Sequence, residues 1–215
     1  MKKILLITLA LATLVLTSCE KEKQGDSANS ALIGTWAPDA NCVSVNYELT
    51  GENITIPDFS GTGEEIIITK DQINMMLNQE LLPELNYSLR EENLSFTITP
   101  SVNTTHNLSI TMFNDNDVEA TLTANDNGTS ITLNIPFEEY NNSLITECTL
   151  DYTANNGKLV LTADKGQIVT AIGNFLTVQG NIENEEESAQ MAILLIEYIA
   201  QQIESIEIKA TFIQR

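Results

Sequence analysis

The chain has 215 residues, 10 basic against 30 acidic, with a net charge of −20 and 42% apolar residues. Acidity on this scale repels phosphates, which excludes nucleic acid as a partner and anionic membrane surfaces as a charge-held anchor. The length suits one ordinary domain with a real core.

The first residues are not part of that domain. Lys2 and Lys3 precede an apolar run from Ile4 to Leu16, and Ser18 stands before Cys19. A membrane span needs about 20 apolar residues, so this run is too short and reads as a secretion signal over residues 1–18. Leu16-Thr17-Ser18-Cys19 resembles a bacterial lipobox. The resemblance implies that Cys19 becomes the first mature residue and carries diacylglycerol, with a further acyl chain such as palmitate often added to its amino group. Two or three chains anchor a protein stably where one does not. The expected address is the cell envelope, lipid-anchored at the outer membrane, on its periplasmic face or the cell surface. Loss of Lys2 and Lys3 leaves 8 basic against 30 acidic residues, a net charge of −22. Residues 19–31 mix charge, Gly and Ser without apolar periodicity and read as a flexible tether. Asp26-Ser27-Ala28 within it resembles a short bacterial O-glycosylation motif, but plain linker is the better reading of three residues. Triplets such as Asn53-Ile54-Thr55 are not glycosylation signals in a bacterial lipoprotein.

Residues 32–215 read as a single, mainly β domain. Leu32-Ile33-Gly34-Thr35-Trp36 opens it as a first strand, and Val43, Val45, Tyr47 and Leu49 alternate as a second. Gly51 to Gly63 reads as a long loop with a short strand at 54–56, followed by a β-branched strand over Glu65–Thr69. Ile73, Met76, Leu77 and Leu81 predict a short helix over Lys70–Leu82, capped by Thr69 and stopped by Pro83. From Tyr87 to Tyr152 the apolar residues alternate in runs beginning at Leu94, Leu108, Val118, Ile131 and Thr146. Turns such as Asn125-Asp126-Asn127-Gly128 and Asn155-Asn156-Gly157 separate them, predicting consecutive hairpins in an antiparallel meander, curved or closed into a barrel. Another strand over Lys158–Thr162 precedes a helix marked by Ile168, Val169, Ile172, Phe175 and Leu176. Gly180–Glu187 reads as an acidic loop, and Ser188–Ser205 as a long helix buried on much of its circumference. Ile206, Ile208, Ala210 and Phe212 form a closing strand.

A Gly34-Thr35-Trp36 first strand, a meander, late helices and a closing strand together resemble the lipocalin-like domains of bacterial outer-membrane lipoproteins. Leu161-Thr162-Ala163-Asp164 before two helices resembles an uncharacterised subgroup of them. The resemblance implies a β-barrel with Trp36 plugging one end. Lipocalins usually stack an arginine on that tryptophan, and only Arg90 and Arg215 exist here.

Cys42 and Cys148 remain once Cys19 is assigned to lipid. An oxidising compartment permits a disulfide between them, and two buried thiols are the alternative. No catalytic constellation emerges. His106 has no partners at metal-ligand spacing, and Asp115, Asp117 and Glu119 lack the glycine and final glutamate of a calcium loop. Glu138 and Glu139 would need to converge in a cleft to act as acid and base. The expectation is a non-enzymatic protein without cofactor or metal, holding a small apolar ligand in a hollow barrel or contacting another envelope component with a filled one.

Overall fold

The computed structural model describes residues 31–58, 63–91, 94–101, 106–114, 117–136, 145–183 and 185–215. Cys19, the leader, tether residues 20–30, Asp115, Phe137, Glu138 and Glu139 lie outside them. Eight antiparallel strands close into a barrel: β1 (Gly34–Leu49), β10 (Ile203–Gln214), β9 (Lys158–Asp164), β8 (Ile145–Asn155), β7 (Ser130–Pro136), β6 (Asp117–Asp126), β5 (Asn107–Asn114) and β4 (Ser95–Pro100). The barrel expected from the hairpin pattern is therefore present. β2 (Asn53–Ile56) and β3 (Ile66–Thr69) form a separate two-stranded hairpin.

The two strands expected over 32–36 and 43–49 are one. Between Pro38↔Phe212 and Val43↔Ala210, β1 advances five residues while β10 advances two. The surplus is a bulge, and Pro38, which cannot donate to a ladder, stands at its start. This bulge lets a 16-residue strand bend around the barrel. β1 meets β4 through only three pairs, Gly34↔Ile98 to Trp36↔Phe96. Beyond them the Asn86 side chain takes the neighbour's place, accepting from the Val43 N–H at 2.8 Å and donating to the Val43 carbonyl at 3.0 Å.

Asn86 belongs to a helix longer than the sequence suggests. α1 (Lys70–Met75) begins in a capping box between Thr69 and Gln72, as Thr69 foreshadows. The chain does not stop at Pro83. A π-helical stretch over Met76–Leu81 leads into α2 (Leu82–Glu91), which absorbs Tyr87. A proline inside an α-helix clashes with the carbonyl four residues back. Here the wider π turns lie just before it, with the Leu82 N–H donating to the Leu77 carbonyl, so the helix passes the proline. Only Ile73 and Leu89 are buried on these segments, and Met76 and Leu81 of the expected apolar face are half exposed.

α3 (Lys165–Glu183) and α4 (Glu186–Gln201) take up most of the stretch expected as an acidic loop over Gly180–Glu187. Gly180 lies inside α3, where an added Cβ would come within 2.5 Å of Ala189 Cβ, so the glycine admits close approach of α4. α4 is half-buried along Ala192, Ile193, Ile196 and Ile199, and leaves Met191, Leu194 and Tyr198 exposed. It is thus less enclosed than its hydrophobicity suggests. It also ends at Gln201, and Ile203 and Ser205 enter β10.

The core has two parts. The larger fills the barrel with Leu32, Trp36, Ile98, Leu108, Ile131, Leu150, Leu159 and their neighbours, and includes Ala171 of α3. The smaller joins Leu89 of α2 to Cys42, Val43, Leu94 and Ala210.

Candidate functional site: the barrel interior

Period-two alternation sends one face of every strand inward. The resulting interior is built from Phe96, Ile98, Ile110, Met112, Leu122, Ile131, Leu133, Leu150, Leu159, Leu161 and Phe212, with Leu94 and Ser95 at the rim. Phe96 and Phe212 meet edge to face at 4.9 Å, a favoured aromatic geometry. Among these side chains lies a cavity of about 70 Å³ with an apolar lining. Ligand pockets usually measure about 300–1,000 Å³, and an apolar void known to admit benzene measures about 150 Å³. The interior is therefore nearly filled.

Trp36 closes one end, 1% exposed, its indole N–H donating to the Leu32 carbonyl at 2.9 Å. The motif glycine has a physical cause. Gly34 sits at φ +148°, a conformation that side chains disfavour, and an added Cβ would press on the Gln214 side chain at 2.7 Å. The Arg215 backbone N–H donates to the Thr35 carbonyl at 2.9 Å, which brings the final arginine to the tryptophan strand. Arg90 donates to the Asn86 carbonyl within α2.

The same end carries a polar cluster that the sequence reading missed. Asp126 is buried, accepting from Tyr152 Oη at 2.9 Å and from the Gly128 N–H at 2.8 Å. His106 Nδ1 lies 3.2 Å from the Asp126 carbonyl oxygen. The only early sign was the Asn-Asp-Asn-Gly turn, which places an aspartate where its side chain folds back on the backbone. A carboxylate tied to a turn amide and a tyrosine hydroxyl pins the β6–β7 hairpin. At the opposite end α3 meets β8 from the inner side, because outward-facing Ile145, Glu147 and Asp151 stay exposed while Ala171 is fully buried.

The sequence leaves a Cys42–Cys148 bridge open, and the structure does not form it. β10 and β9 stand between β1 and β8. Three strand spacings amount to roughly 14 Å along the wall, whereas a disulfide needs Cα atoms within about 7 Å. Cys42 sits in the bulge, its thiol pushed up from 9.0 to about 11 chiefly by burial, against backbone hydrogen bonds from Thr211 and Asp39. At neutral pH it is a protonated, slow thiol. Because folding raises this value, the stability it contributes is complete below pH about 9 and is lost as pH rises to about 11. Urea midpoints measured across that range should fall less steeply for Cys42→Ala than for the parent; parallel curves would refute the assignment.

Among the described residues no group of His, Cys, Asp and Glu is placed to hold a metal ion, and Asp117 and Glu119 lie along β6. No helix among them is long and apolar enough to cross a membrane. The fold and interior define an eight-stranded antiparallel barrel with a packed apolar centre. No protein-family model, curated protein or solved structure matches the chain.

Proposed function

We propose that this is a non-enzymatic, lipid-anchored protein of the cell envelope, lipocalin-like in descent, whose barrel serves as a filled scaffold and whose outer surface contacts another envelope component. The observation that carries the reading is the cavity of about 70 Å³, too small for a fatty acyl chain or a ring. The alternative of a small apolar ligand held inside would require the interior leucines to move apart. The Trp36 plug, the Gly34 conformation and the β10 closing strand support the kinship. The lipobox-like Leu16–Cys19 supports anchoring through acyl chains on Cys19.

Native mass spectrometry of the full-length protein, extracted in mild detergent, tests both halves. The expected species is a chain beginning at Cys19, bearing acyl mass, with no apolar molecule retained. Repeated stoichiometric co-purification of a lipid would overturn the filled scaffold. An unmodified Cys19 would overturn the anchor. Cys19→Ala should abolish the acyl mass and release the protein from the membrane fraction.

A further inference from the structure

α4 has two apolar faces, and the fold uses one of them. Ile193, Ile196, Ile199 and Ala200 are half-buried, and the helix packs on α3, β10 and β2. At 3.6 residues per turn, Glu187, Met191, Leu194 and Tyr198 fall within about 60° of one another on the other side. Met191 and Leu194 are each 59% exposed, and Tyr198 is 40% exposed. Leu195 borders this stripe. Among the described residues it lines, with Glu187, Ser188, Met191 and Ala192, an open recess of about 400 Å³. A surface helix normally carries one apolar face, so a second one marks a further contact.

The charge around the stripe is of one sign. Between Lys165 and Lys209 the chain carries seven glutamates and no lysine or arginine. Glu187 opens the stripe and Glu197 stands beside Tyr198, and both are exposed. This charge decides among the occupants that an apolar helix face could take. A second copy would set α4 against α4, glutamate against glutamate, with no cation on either helix and a net charge of −20 on each chain. A lipid surface takes up helices whose polar face is rich in Lys and Arg, and α4 has neither. The stripe from Glu187 to Tyr198 is about 16 Å long, the face of a partner helix and not of one small molecule. What fits is a helix of opposite charge.

We propose that the outer face of α4 receives a cationic amphipathic helix of a different protein. Its apolar side chains lie on Met191, Leu194, Leu195 and Tyr198, and its Lys or Arg side chains meet Glu187 and Glu197. The proposal rests on the reading of the barrel as a scaffold that contacts another component, and gives that contact a place and a chemistry. Met191, Leu194, Leu195 and Tyr198 stand at i, i+3, i+4 and i+7, the spacing by which one helix anchors on another. Met191 is unbranched and adapts its shape to the incoming side chains. The Tyr198 ring offers a face to a cation as well as apolar area. Glu187 and Glu197 stand near the two ends of the stripe, where they steer a basic segment into place and reject an acidic one.

The test uses full-length protein in mild nonionic detergent, with detergent alone as the blank. The probe is a fluorescent peptide of about 18 residues, with leucines at helical spacing and lysines elsewhere. A scrambled peptide of the same composition and a leucine–glutamate analogue are its comparisons. Fluorescence anisotropy should show binding of the leucine–lysine helix, about tenfold weaker binding of the scramble, and none of the analogue. Met191→Ser with Leu194→Ser should weaken the helix about tenfold. Glu187→Lys with Glu197→Lys should weaken it by a similar factor and admit the leucine–glutamate analogue, a gain that misfolding would not produce. Glu147→Lys with Asp151→Lys changes net charge equally on the exposed face of β8, and should leave binding unchanged. Equal weakening by the β8 pair and the α4 pair would reduce the effect to general acidity and overturn the proposal. So would unchanged binding after the serine substitutions, or a parent dimer by sedimentation that Leu194→Ser abolishes. Flotation of Cys19→Ala protein on phosphatidylcholine vesicles, lost with Leu194→Ser, would assign the stripe to lipid instead. None of these outcomes bears on the acyl mass or the filled interior, so the scaffold reading stands or falls separately, by native mass spectrometry.

Discussion

Trp36→Ala is expected to lower the unfolding free energy by about 4 kcal/mol, the middle of the range for deleting a buried large aromatic side chain. Three contributions converge there. The indole is 1% exposed and packs within the main core cluster with Leu32 and Ile98. Its N–H satisfies the Leu32 carbonyl, which lies in a fully buried residue. Its strand position, opposite Phe96 and Gln214, lies where β1 joins both β4 and β10, so a void there loosens both seams that close the barrel. Trp36→Phe separates these effects. It keeps most of the ring volume and gives up the hydrogen bond, and should cost about 2 kcal/mol. Urea unfolding followed by far-ultraviolet circular dichroism is the measurement, since Trp36 is the sole tryptophan and its replacement removes the fluorescence signal. In the parent, coincident fluorescence and dichroism transitions would show that the plugged end unfolds with the barrel. A Trp36→Ala loss below about 1 kcal/mol would mean that the end is not a structural plug.

The barrel was legible because period-two alternation and Asx-Gly turns are local signals. The runs from Leu94, Leu108, Val118, Ile131 and Thr146 fall on β4 to β8, and Asn156 and Gly157 adopt the positive φ that such a turn requires. The bulge between Pro38 and Val43 was not legible, because Asp39-Ala40-Asn41 reads locally as a loop and only the register against β10 shows that the strand continues. Pro83 misled for a related reason. A proline reports its own backbone constraints, not the π turns upstream that accommodate them. The filled interior depends on how inward side chains from eight strands add up, a sum over long-range neighbours that alternation cannot express. The Asn86 and Gln202 carboxamides were invisible for the same reason, since each serves a strand far away in sequence, Val43 and Thr55 respectively. Such side chains are hydrophilic and unremarkable until the edge that they cover is known.

Leu159→Ala tests the filled interior directly, by emptying it. Leu159 is fully buried on β9, faces the existing cavity, and is paired with Phe212 of β10 and Ala154 of β8. Truncation removes its packing and extends a void of about 70 Å³ that is already present. The cost of a leucine-to-alanine change rises with the volume left empty, so the loss should lie near the upper part of the usual range, at about 4 kcal/mol. The enlarged space approaches the size of voids that stay dry and accept benzene, about 150 Å³. A ligand that binds only the folded state raises stability by mass action. Benzene should therefore raise the melting temperature of Leu159→Ala and leave the parent unchanged. The difference turns on volume alone, because the lining of both proteins is apolar. If the parent itself gains stability from benzene or from a medium-chain fatty acid, the interior is a binding site and the scaffold reading fails. If Leu159→Ala is destabilised but gains nothing from benzene, the barrel has collapsed onto the deletion, and its walls are softer than a packed eight-stranded closure requires.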